Sequence, residues 1–221
     1  MKAKKGDFVE IEYTGILKES GVVFDTTSEQ TAKENELHSE KQKYGPVIIC
    51  IGQSNLVKGL DDDIEGKDVG VEYQVALPPE NAFGKKSAKL IKLVPTKAFT
   101  KQNIRPVPGL PINIDDMYGI IKTVTGGRTI VDFNHPLSGK DIIYKYKILR
   151  IVTDDNEKLE TFMTTQLGIK KDAFKIENGE NAVKLSIKAK LPKEVQDIIT
   201  KKALELIPTI KKLEIAAEEN K

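Results

Sequence analysis

The residues best placed to do chemistry in this chain are an isolated acid beside an aromatic, Phe24 and Asp25 in "VFDTT" (Val23 to Thr27), and a set of aromatics at strand ends. Familiar catalytic signatures are missing from the sequence. It has no Gly-rich phosphate loop, no G-x-S-x-G elbow and no H-E-x-x-H pair. The run Asp61 to Asp63 lacks the spacing of a calcium loop. Three successive helical positions also point to different sides, so the run reads as a solvated helix face. His38 and His135 are the only histidines and Cys50 the only cysteine, so neither a His/Cys zinc cluster nor an intrachain disulfide can form. Cys50 lies in the apolar run "VIICI" and reads as a small buried hydrophobe. His135 precedes Pro136 in "FNHPLSGK", where it either shapes a turn or takes a direct part in chemistry. Asp25 itself suits an Asx turn. Aromatic and aliphatic residues with one lone acid fit a hydrophobic cleft for a peptide better than an acid/base centre.

Composition narrows the classes further. Charged residues make up 31% of 221 and formal net charge is +2, which gives no pull toward nucleic acid. No apolar run reaches the roughly 18 residues of a membrane span. A single cysteine fits a reducing compartment, so the expected location is cytoplasmic.

Strands and one short helix must position these residues. "FVEIEYTGIL" alternates Val9, Ile11 and Tyr13 with Glu10 and Glu12, a half-buried strand. "SEQTAKENELHSEKQK" has no periodicity and reads as a long exposed loop. "PVIICIG" and "VEYQVAL" are further strands. Between them, "SNLVKGLDDDIEG" places Leu56, Val57, Leu60 and Ile64 at helical spacing, with Ser54 as N-cap and Gly66 as stop. From Lys86 the texture changes to short strands and proline turns, with Gly126-Gly127 marking a hairpin. "DIIYKYKILRIV" then alternates as a long strand. Past "TDDNEK", Leu159, Phe162, Met163 and Leu167 form an amphipathic helix ending at Gly168. Two strands follow. A helix opening at Pro192 has Val195, Ile198, Ile199, Ala203 and Leu206 on one face, and "TIKKLEI" is a last strand.

The blocks "VEIEYTGIL", "VFDTT", "IGQSNLVKGLDDDIEGKDVGVEYQVALPPENAFG" and "NHPLSGKDIIYKYKI" resemble, in order, the motifs of the FK506-binding-protein (FKBP) family of peptidyl-prolyl isomerases. The segment between "AFG" and "NHPLSGK" is similar to the insert-in-flap chaperone domain of the SlyD-like branch. The extra C-terminal part resembles that of long archaeal members. The expected fold is α+β: an antiparallel sheet wrapped around a short helix, a small mostly-β insert in the flap, and a C-terminal α+β domain. The expected boundaries are residues 1–86 with 132–152 for the isomerase domain, 87–131 for the insert, and 154–221 for the last domain.

Carried over position by position, the resemblance implies a prolyl pocket lined by Tyr13, Phe24, Asp25, Ile51, Leu56, Val57, Leu60, Phe83, Phe133 and Tyr144. Leu60 stands where many FKBPs have tryptophan. No cofactor or metal is implied, and the His-rich metal tail of some bacterial SlyD proteins is absent. The implied activity is cis/trans isomerisation of X-Pro bonds in unfolded or proline-containing polypeptides, with the insert capturing unfolded chains. Candidates for that capture surface are Phe99, Val107, Leu110, Ile112, Met117, Ile120 and Ile121, some of which must build the insert's own core. Alternatives are a non-catalytic holdase and an assembly scaffold on the same fold. The amphipathic helices of residues 154–221 point to self-association as a homodimer.

Overall fold

β1 (Phe8–Leu17) buries Val9 and Ile11 and turns Glu12 to solvent, as the alternation of its residues requires, and buries Phe8 on its other face as well. Our structure, a computed structural model, describes residues 1–114, 116–179, 182–188 and 191–217. One edge of β1 is shared by two short strands. β2 (Val23–Thr26) pairs with its second half and β3 (Val47–Cys50) with its first, both antiparallel. β9 (Ile142–Ile151) takes the other edge and β4 (Glu72–Leu77) lies beyond it, completing a five-stranded sheet.

Two local expectations change. The polar excursion contains a six-residue helix, α1 (Glu29–Glu34), whose N-cap Ser28 accepts from Thr31 N–H at 3.2 Å. It buries only Ala32, so it leaves no periodic apolar signal. The short helix expected after Ser54 is α2 (Lys58–Ile64), and it begins later, with Val57 at its N-cap. Ser54 is not the cap; it has φ of 57° in the loop before the helix. Gly66, at φ +83°, does close the helix end.

The chain divides into two compact units, Met1–Ala76 with Ile143–Lys221, and Leu77–Ile142. The second unit carries a four-stranded sheet in the order β5 (Ile91–Pro95), β8 (Arg128–Asp132), β7 (Met117–Thr125), β6 (Pro111–Ile114), with α3 (Thr96–Thr100) after β5. Gly126 and Gly127 form the two-residue turn between β7 and β8, with φ of 54° and 74°. Phe99, Ile112, Ile121, Val131 and Phe133 form this unit's own core.

Residues past 153 belong to the first unit. α4 (Asp155–Thr161) is capped by Asp154, which accepts from Glu157 N–H at 2.9 Å, and it widens into a π turn over Phe162–Gln166. β10 (Phe174–Asn178) runs antiparallel to β11 (Val183–Ile187), and β12 (Leu213–Ala217) runs parallel to it. A parallel pair needs a crossover, which α5 (Lys193–Leu206) supplies. Leu159, Phe162, Met163, Phe174, Leu185, Ile199 and Ala203 form one core cluster with Phe8, Cys50 and Val152. The expected boundary at residue 153 therefore cuts through a continuous core. The predicted apolar face of α5 is only partly buried: Val195 is 38% and Ile198 68% exposed.

Candidate active site

The strands carrying Tyr13 and Asp25 are locked together by threonines. Thr27 N–H donates to Tyr13 O, and Tyr13 N–H donates to Thr27 Oγ1, both at 3.0 Å. The Thr14 and Thr26 hydroxyls share a 2.8 Å hydrogen bond. Asp25 is thereby a strand residue paired with Gly15, not the Asx-turn residue its neighbours suggest. The register then slips. Gly15 pairs with Asp25 but Ile16 pairs with Val23, so Phe24 is the extra residue of a β-bulge. A bulge re-aims side chains, and here the neighbours Phe24 and Asp25 both join one cluster. The Phe24 ring meets Tyr144 edge-on at 5.8 Å and 79°. Tyr13 meets Tyr144 at 5.7 Å and 75°, and hydrogen-bonds to Asp25.

Burial dominates the electrostatics of this cluster. It pushes the Tyr13 hydroxyl up to about 12, helped by the charge and hydrogen bond of Asp25. Burial, then the charges of Asp25 and Tyr13, push Tyr144 up further. Both remain neutral O–H donors across the physiological range. Burial also raises the Asp25 carboxyl, opposed by hydrogen bonds from Tyr13 and the Thr26 backbone. A raised acid favours the folded state below the unfolded-state value, and that contribution is lost as pH rises through the folded-state value. Asp25→Asn is therefore expected to be more stable than wild type at pH 7, with the gap closing in acid. Chemical denaturation at a series of pH values measures this, and a gap that widens toward acid would contradict it.

The loop before α2 holds Ile51, Leu56 and Val57, and the helix holds Leu60. Ile51 and Leu60 are each 1% exposed, while Leu56 and Val57 are half-buried. Ile51 is fixed to β1's approach by Ile51 N–H to Asp7 O and Gly6 N–H to Ile51 O, both 3.0 Å. Asp61 is not on a solvated face. It is buried, and its carboxylate accepts from Gly52 N–H at 2.9 Å and Ser54 N–H at 3.2 Å. Asp63 accepts from the Tyr146 hydroxyl at 2.5 Å. Only Asp62 is the surface residue expected, paired with Lys58. The missed signal is that Asp61 lies three residues before buried Ile64, on the same stripe.

In the second unit, the turns "ENAFG" and "FNHPLSGK" are stitched to each other. Asn134 accepts from Ser87 N–H at 2.8 Å and donates to Ser87 O at 3.1 Å. Ser138 Oγ donates to Phe83 O at 2.9 Å, and Gly139 N–H to Gly84 O at 2.8 Å. Phe83 stacks on His135 at 4.8 Å and 3°. His135 Nδ1 accepts from Leu137 N–H at 3.2 Å, so the histidine does shape its turn. Phe133 is 9% exposed and packs in the unit's own core, with Lys92 Nζ 5.6 Å over its ring. Burial works against the charged form of Asp132. Its hydrogen bonds from Asn134 and the Lys86 and Lys122 charges outweigh this and hold its carboxyl below the usual range.

The seven insert candidates separate into two sets. Phe99, Ile112 and Ile121 are core, and Leu110 and Met117 pack on that core, so these five are not a free capture surface. Val107 is 44% exposed and Ile120 half-buried. The sheet's outer face supplies residues that sequence reading missed. Ile91 pairs with Asp132, which pairs with Ile120, and Leu93 pairs with Ile130. These rows alternate with buried Val131 and Ile121. Ile91 is 44%, Leu93 59% and Tyr118 57% exposed.

A cavity of about 770 Å³ in the first unit is polar and shares only Tyr13 with the expected pocket; Glu12, Glu29, Glu72, Lys145 and Lys147 are among its lining residues. The aromatic cluster therefore stands on geometry and burial, not on cavity size. Among the described residues, no three His, Cys, Asp or Glu side chains group to hold a metal, and no helix is long and apolar enough to cross a membrane.

Several known proteins are similar to this chain. A family model described as FKBP-type peptidyl-prolyl cis-trans isomerase matches residues 1–100, and one described as FKBP26, IF domain matches residues 92–137. The chain is 32% identical over 154 residues to the short-type peptidyl-prolyl cis-trans isomerase of Methanocaldococcus jannaschii, covering 70% of this chain and 97% of that one. It is 29% identical over 161 residues to the isomerase SlyD of Aeromonas hydrophila, covering 72% of this chain and 69% of that one. It is 28% identical over 110 residues to the FKBP-type 16 kDa isomerase of Escherichia coli, covering 48% of this chain and 74% of that one.

Proposed function

The chain belongs to the FKBP-type peptidyl-prolyl cis-trans isomerase family, and we propose that it turns X-Pro bonds at the cluster of Tyr13, Phe24, Asp25 and Tyr144 while its insert holds unfolded chain. The observation that carries the site assignment is the bulge at Phe24, which gathers two edge-on aromatic contacts and a half-buried acid at one strand end.

The reaction needs no covalent step. Resonance gives the peptide bond a rotational barrier of ~18–20 kcal/mol, and X-Pro bonds populate both isomers. An apolar wall disfavours the charge-separated resonance form of the imide, so the bond twists more easily. Aromatic faces that fit the twisted proline better than either planar state stabilise the transition state selectively. Tyr13, a neutral donor, and Asp25, its acceptor, orient the substrate backbone. Ile51, Leu56, Val57 and Leu60 extend the apolar enclosure, with Asp61 fixing their loop. Phe83 and Phe133, which the family resemblance also implies, lie in the second unit, where Phe133 belongs to that unit's own core. Asp25→Ala or Tyr144→Ala is expected to slow exchange in a short X-Pro peptide about tenfold, or ~1.4 kcal/mol of transition-state binding. Unchanged rates in both variants would move the centre elsewhere.

Capture of unfolded chain rests on the outer sheet face of the insert, with exposed Ile91, Leu93 and Tyr118 and half-buried Ile120, and on exposed Val107. The sole cysteine, Cys50, is buried and its thiol is pushed up to about 12, mainly by burial, which suits work in the cytoplasm without disulfides. Self-association through residues 154–221 is a narrower proposal. It rests on Val195 and Ile198 of α5, the exposed remainder of an otherwise buried face. Ile198→Lys should then yield a monomer in sedimentation where wild type is a dimer.

A further inference from the structure

We propose that Gly15 is a positioning residue: its missing side chain makes the space in which the Phe24 and Tyr144 rings form the walls of the site. The inference rests on the reading that this cluster is the isomerase centre. Gly15 lies inside β1, where a glycine costs stability unless something uses its small size. Its φ is not in the left-handed region, so backbone freedom does not account for it. Space does. A Cβ at this position would lie 2.6 Å from Phe24 Cζ, 2.9 Å from Phe24 Cε2 and 2.9 Å from Tyr144 Cε1. Side-chain carbons do not approach that closely, so both rings would have to move.

Neither ring can yield easily. Phe24 sits at the bulge between paired neighbours, Asp25 opposite Gly15 and Val23 opposite Ile16. Tyr144 is 3% exposed and edge-on to Tyr13. A methyl group at residue 15 therefore displaces the two walls together and disturbs Tyr13 through Tyr144. Gly119 plays the same steric part beneath Phe133, where a Cβ would lie 2.7 Å from the ring, but there it serves a plain core. Kinetics must separate the two kinds of role.

The test uses the full chain, with Gly15→Ala, Phe24→Ala and the double variant assayed on one proline tetrapeptide. Displacing walls by about 1 Å is expected to cost on the order of 100-fold in kcat/KM for Gly15→Ala. In the Phe24→Ala background the same change should cost far less, because the principal clashing ring is gone. The protein has six tyrosines and no tryptophan, so near-UV circular dichroism reports the Tyr13–Tyr144 arrangement. That band should change in Gly15→Ala. Equal cost in both backgrounds, or no cost in either, overturns the inference while leaving the isomerase centre in place. A harmless Phe24→Ala overturns the reading of the cluster and this inference with it. If Gly15→Ala alone does not fold, recovery of folding in the double variant shows the same clash, and failure to recover overturns it.

Discussion

A chain ending at residue 153 is expected to lose most of its stability. Its isomerase strands share one part of their buried surface with the residues beyond that point. Phe8, Cys50 and Val152, at 1%, 0% and 2% exposure, share one cluster with Leu159, Phe162, Met163 and the apolar residues of β10 to β12 and α5. Burying a Phe or Val side chain contributes about 1.5–3 kcal/mol. Uncovering Phe8 and Val152, with Cys50 and the adjoining Ile48, therefore removes up to roughly 4–8 kcal/mol. That approaches the whole stability of a typical domain, about 5–15 kcal/mol. Truncation also removes Glu157, which takes two hydrogen bonds from Arg150 at 2.9 and 3.2 Å. At about 2–4 °C per kcal/mol, the thermal midpoint should fall by on the order of 10 °C or more. Circular dichroism melts of residues 1–153 and of the full chain measure this. Midpoints within a few degrees of each other would show that residues 154–221 are separable after all.

Replacing residues 87–131 with a short Gly-containing turn is expected to divide two activities. Exchange in a tetrapeptide should stay within about threefold of wild type, because Tyr13, Phe24, Asp25 and Tyr144 all lie in the first unit. Catalysis of a proline-limited refolding reaction should fall on the order of 100-fold. A tethered capture surface raises the effective concentration of substrate, and losing it removes a factor of that size. Leu93→Lys with Tyr118→Lys, both on exposed positions, should reproduce much of the loss without removing the insert's core. Equal losses on peptide and protein would mean that the insert builds the isomerase site itself.

Much of this architecture was legible because alternation is a strong signal. β1 and β9 read directly from Val9–Ile11–Tyr13 and Ile142–Tyr144–Tyr146, and the hairpin from Gly126-Gly127. The bulge at Phe24 was not legible, since no residue type demands it and only the slip from Asp25 to Val23 shows it. Asp61 was hidden in a run of three acids whose other two members do not share its burial. The outward face of β5 was not legible for a different reason. In "LIKLV" the lysine belongs to the core-side row, paired with Val131 and reaching over Phe133, while Ile91 and Leu93 face out. Polarity there opposes position, which leaves an apolar strip exposed. α5 shows a similar conflict at Ile198, an apolar residue about 100° around the helix from buried Ile199 that stays exposed.

The most direct test of the central claim is two-dimensional NMR of the isotope-labelled chain titrated with an unlabelled proline tetrapeptide. The same sample reports the peptide's cis/trans exchange rate. The account predicts accelerated exchange together with amide shifts concentrated at Tyr13, Gly15, Phe24, Asp25 and Tyr144. Accelerated exchange with those amides unmoved, and shifts gathered instead around the polar cavity of Glu12, Glu72 and Lys147, would contradict it.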